Sequence, residues 1–83
     1  MNIKEILTED ELDHLLNVGS CLMKACAHVD LKGGRAATLL MSFTSGVCAM
    51  LEVEGRFGDH DADPQDFFQQ FLIVYTARLT QQA

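Results

Sequence analysis

The chain has 83 residues, of which 48% are hydrophobic but only 7% aromatic, with no Trp and one Tyr. That composition describes one domain with an aliphatic, Met-filled core around five Phe, too apolar for disorder and small enough that partners commonly complete its burial. A net charge of −6, with six cations scattered along the chain, argues against a nucleic-acid surface, which needs clustered Lys and Arg.

Residues 1–6 read either as a short extra turn or as an arm reaching a neighbouring subunit. The segment "LTEDEL" then opens a helix twice over. Thr8 as N-cap with Glu11 three residues on makes a capping box, and Leu7 and Leu12 stand where a hydrophobic staple would. Apolar or small residues follow at Leu12, Leu15, Leu16, Gly19, Leu22, Met23 and Cys26, one face at 3.6 residues per turn, so the first helix is predicted over 8–29. Gly33 or Gly34 is expected to take the left-handed conformation that closes it.

The second helix is predicted over 35–54, burying Ala36, Leu39, Leu40, Phe43, Val47, Met50 and Leu51. A neighbouring face of Thr38, Ser42, Ser45, Gly46 and Ala49 would let another backbone approach closely. Residues 36–51 carry no charge, but the run is short for a bilayer and holds several hydroxyls. It is therefore expected to be a buried helix, and no membrane association is expected. In "GRFGDHDADPQDFF" two glycines stop the pattern, and Asp63 as N-cap, Pro64 and Asp66 restart it. The third helix, over 64–81, would bury Phe67, Phe68, Phe71, Leu72, Tyr75 and Leu79. The expected fold is all-α, a small antiparallel three-helix bundle assembled as a homo-oligomer.

Several residue groups invite a function. His14, Cys21 and His28 share one side of the first helix, but residues seven apart are about 10 Å from each other, too far to share one metal ion. His14, Val18, Cys21, Ala25 and His28 instead form a half-apolar face that is either solvent-exposed or packed against another chain, and the small residues Ser42, Gly46 and Ala49 on the second helix are expected to meet a neighbour. Asp59, Asp61 and Asp63 alternate like the opening of a calcium loop, yet Pro64 and Gln70 occupy the places where such a loop needs Gly and Glu. No metal and no cofactor are expected. Cys21, Cys26 and Cys48 lie in apolar helical surroundings with no framework spacing, and no secretory segment opens the chain. Free thiols in a cytoplasmic compartment are expected. No nucleophile, base and acid converge in the pattern, so catalysis is not expected.

The stretch "DLKGGRAAT" is the exception to the scarcity of cations. Lys32 and Arg35 bracket Gly33 and Gly34 at a helix start, where unpaired N–H groups and the dipole favour an anion, with the Thr38 hydroxyl one turn in. It matches neither a Walker sequence nor a dinucleotide fingerprint, and a glycine turn with two solvated cations accounts for the same letters. The turn with Arg35 followed by "AATLLMSF", across residues 31–43, is similar to the helical-hairpin class of small acidic phage proteins that sequester cyclic-nucleotide signals. That resemblance implies an oligomer whose copies of Lys32 and Arg35 surround one phosphate-bearing ligand. Those hairpins follow the Arg with an acid and a Leu/Lys/Glu-rich helix, where this chain has Ala36 and an uncharged run.

Two functional readings follow. The first is a non-enzymatic adaptor or inhibitor that binds another protein, its acids Glu9, Asp10, Asp13, Asp59 and Asp61 steering a basic partner. The second is an oligomeric protein that captures a small anionic ligand at Lys32, Gly33, Gly34, Arg35 and Thr38.

Overall fold

The Thr8 hydroxyl oxygen accepts the Glu11 N–H at 3.2 Å while Glu11 Oε1 accepts the Thr8 N–H at 2.8 Å, so the chain enters its first long helix through the capping box its letters predict. In this computed structural model, which describes residues 1–82, four helices follow in order: α1 (Ile3–Ile6), α2 (Glu9–His28), α3 (Gly34–Val53) and α4 (Pro64–Gln82). The three long helices lie within a residue or two of their predicted limits. No strand occurs among the described residues.

The expectation of three helices omits α1. Asn2 caps this single turn by accepting the Lys4 N–H, and Ile3 and Ile6 are buried in the chain's own core, where α1 packs on α4. Residues 1–6 are a core element here rather than an arm. A four-residue helix has little stability by itself, so its apolar anchors hold it.

The end of α2 also departs from expectation. Asp30, at φ 60, takes the left-handed position, with its N–H on the Ala27 carbonyl and the Leu31 N–H on the Cys26 carbonyl. This is a Schellman closure, completed three residues before the glycines predicted to supply it. Gly33 instead serves as N-cap of α3 with φ 58 and ψ −127, a conformation that side chains resist, and it offers α3 no side-chain cap. At the end of α3, Gly55 fills the left-handed position, and the Arg56 N–H reaches the Leu51 carbonyl. Asp63 restarts the chain by accepting the Gln65 N–H on its carboxylate and the Phe67 N–H on its carbonyl.

The core runs through all four helices: Ile3 and Ile6 from α1, Leu12, Leu15 and Leu16 from α2, Leu40, Cys48 and Leu51 from α3, and Phe67 and Phe71 from α4. Phe71 is the junction. Its ring lies edge-on to Phe43 at 6.5 Å, stacks on Tyr75 at 5.7 Å, and presses against Gly19 of α2. Phe57, from the loop after α3, is also buried and meets Phe67 edge-on at 6.4 Å. Composition counts it among the five Phe of the core, though it lies outside the helical periodicities.

Helix α3 corrects two expectations. Its buried side is Leu40, Thr44, Cys48 and Leu51, so the inward face is rotated away from Leu39 and Met50, both of which are exposed. Thr44 is wholly buried and donates its hydroxyl back to the Leu40 and Met41 carbonyls at 3.1 Å, which lets a polar residue sit in the core. The expectation of a buried helix fails as well. Only 22% of the most apolar 18-residue stretch of α3 is covered, and by length and composition this helix would suffice to cross a membrane. In α4, Phe67 and Phe71 are buried as predicted, Phe68, Leu72 and Tyr75 are half-buried, and Leu79 is exposed.

Candidate functional site

The most apolar depression lies between α2 and α3. Leu7, Leu15 and Val18 form one wall and Phe43 and Val47 the other, with Glu11 and His14 at the edge, around a space of about 370 Å³. It exists because Gly19 draws α2 down onto Phe71, while Phe43, held edge-on by that same ring, stands up on α3. Two of the residues predicted for self-association, His14 and Val18, line it. The others on that side of α2, Cys21, Ala25 and His28, continue the exposed face beyond it. Ser42, Gly46 and Ala49 are exposed on α3, and a side chain at Gly46 would meet no atom within 4 Å.

Charge gathers at one end of the groove. Arg56, from the loop after α3, grips Glu11 with both guanidinium nitrogens, at 2.9 and 2.5 Å, and donates to the Ile6 carbonyl at 2.9 Å. The guanidinium first, and then the Thr8 N–H, hold the Glu11 carboxyl down at about 2 from an ordinary 4.5. The same bond raises the Arg56 guanidinium further. One carboxylate thus closes the capping box and ties the start of α2 to a loop 45 residues away. The residue pattern showed the box but gave no signal for Arg56, because a partner so distant in sequence leaves no periodic trace.

The predicted anion turn is only partly assembled. Arg35 and Thr38 line an open depression of about 420 Å³ with Leu31, Leu39 and Ser42, but Lys32 does not. Lys32 pairs with Asp30 at 3.1 Å, both side chains 81% exposed, so its charge is offset locally. The Thr38 hydroxyl donates to the Gly34 carbonyl at 2.8 Å. Gly33 and Gly34 are exposed, and the space around each is open.

A further depression of about 390 Å³ between α2 and α4 is mixed, with Lys4, Glu9, Asp10, Asp13, Arg78 and Gln81 around an apolar part formed by Leu12, Val74 and Ala77. Asp13 and Arg78 form an ion pair across it. Of the three thiols Cys21 is exposed, while Cys26 and Cys48 are buried. Burial, and then the carboxylates of Glu52 and Asp63, push the Cys48 thiol up, away from the thiolate form that reacts. No group of three or more His, Cys, Asp or Glu among the described residues is placed to hold a metal ion. No family model, curated protein or solved structure matches this chain.

Proposed function

We propose that this chain is a small, acidic, non-enzymatic interaction protein of the cytoplasm, which acts as an adaptor or inhibitor by seating an apolar helix of another protein. The observation that carries the reading is the groove of Leu7, Leu15, Val18, Phe43 and Val47, apolar along its walls and rimmed by a carboxylate at Glu11. An amphipathic helix laid in such a groove buries its apolar face, and basic residues flanking that face would meet a molecule of net charge −6.

The test compares capture from cell extract by immobilised parent and by Val18→Glu, at low and high salt. Val18 is 45% exposed, so a carboxylate there leaves the fold in place while spoiling the groove. The reading requires one retained protein that the variant does not hold and that salt releases, since screened charges steer less strongly. Retention indifferent to both changes overturns it.

The second reading, capture of a phosphate-bearing ligand such as a cyclic nucleotide, draws support from Arg35 and Thr38 sharing one depression. Titration with nucleotides and cyclic dinucleotides separates the two. A true ligand at a hundred times its dissociation constant raises stability by about 2.7 kcal/mol, and Arg35→Ala abolishes that rise. No shift with any of them removes this reading.

A further inference from the structure

The exposed side of α3 is ordered in a way that one copy of the chain does not use. Arg35, Leu39, Ser42, Gly46, Ala49 and Val53 follow one another at alternating spacings of four and three residues, the spacing by which two helices mesh along a common seam. All six are exposed, with Val53 at 84% and the adjoining Met50 at 65%. None of them points toward the core, which α3 enters through Leu40, Thr44, Cys48 and Leu51.

We propose that this seam pairs with the same seam of a second copy, the two α3 helices running antiparallel about a two-fold axis between Ser42 and Gly46. The choice of occupant rests on charge. Along α3 the only charged residues are Arg35 at the beginning and Glu52 at the end. In antiparallel pairing of this register Arg35 of each copy lies over Val53 of the other, within reach of the adjacent Glu52 on the flank of the seam, twice over, whereas parallel pairing sets like beside like. Size agrees. The same arrangement lays Leu39 of one copy over Ala49 of the other and Ser42 over Gly46, so large meets small and the backbones can approach closely. The dipoles of the two helices also oppose.

A lipid bilayer is the other candidate occupant for an apolar helix of this length. Spanning it would pull Leu40, Cys48 and Leu51 away from the core they share with Phe67 and Phe71. The proposal deepens the reading of this chain as an interaction protein but uses a different face from the groove, so the two can fail separately.

Sedimentation equilibrium of the full chain in reductant tests it. The parent should weigh twice 9.2 kDa. Gly46→Glu should weigh 9.2 kDa with its helix content intact, because the space at that position is open. Arg35→Glu and Glu52→Arg should each weaken dimerisation by about tenfold or more, and the double reversal should recover it. Both reversals suit the dipole of α3, so neither endangers the monomer. A parent that stays monomeric overturns the proposal, as does a dimer indifferent to Gly46→Glu, a double reversal without recovery, or a parent that floats with phosphatidylcholine vesicles. Extract capture repeated with Gly46→Glu reads the groove alone, since Val18, Phe43 and Val47 are untouched in it.

Discussion

Glu11 accepts hydrogen bonds from Arg56 and from the Thr8 N–H, and a proton on its carboxyl would disrupt both sets. Its folded-state value, about 2, lies below its ordinary 4.5, so the folded chain binds that proton more weakly than the unfolded one does. The contribution to stability is therefore complete above about pH 4.5 and is lost as pH falls toward 2. Chemical denaturation across that range should show the parent losing stability faster than Glu11→Gln, which has no proton to gain; parallel curves would refute the assignment. At this scale the sequence was half legible. Thr8 and Glu11 announce each other from three residues apart, while Arg56 and Phe57 sit in a glycine-bounded loop where no periodicity marks which side chain turns inward. Asp30 was missed for a related reason: glycine is the usual left-handed residue, and two glycines stood nearby to attract the assignment.

Between elements, α2 meets α4 where Gly19 faces the Phe71 ring. A Cβ there would lie 2.7 Å from Cζ of Phe71, and that ring is buried between Phe43 and Tyr75 with little room to retreat. Gly19→Ala gains about 1 kcal/mol of helix propensity but overpacks the crossing by about 1–3 kcal/mol. The net expectation is a loss of about 1 kcal/mol, or a fall in Tm of about 4–8 °C. A rise in Tm would show that the helices can separate at no cost. The helix limits themselves were legible because capping residues and glycines mark them directly. The inward face of α3 was not, because residues 36–51 are uncharged and nearly every direction around them looks apolar. Packing chose the side holding Thr44, whose hydroxyl is satisfied by its own helix, and left Leu39, Met50 and Val53 outside.

For the molecule as a whole, charge and grease are kept apart. Most acids occupy helix starts and the loop before α4, while α3 carries charge only at its ends. The all-α class followed from that patterning, whereas the exposed side of α3, with Leu39 and Met50 on it, did not. The groove did not, since it depends on how deeply two helices approach through a third. The distribution of the thiols gives the molecule an internal reporter of its own integrity. Cys21 faces water whereas Cys26 and Cys48 do not, and burial further blunts Cys48. An aromatic disulfide reagent should therefore label one sulfur promptly, with the remaining two following only as fast as the whole globule opens. Without a reductant, air alone should stitch molecules together through Cys21, producing covalent pairs that owe nothing to helix seams and that a non-reducing gel would reveal at once.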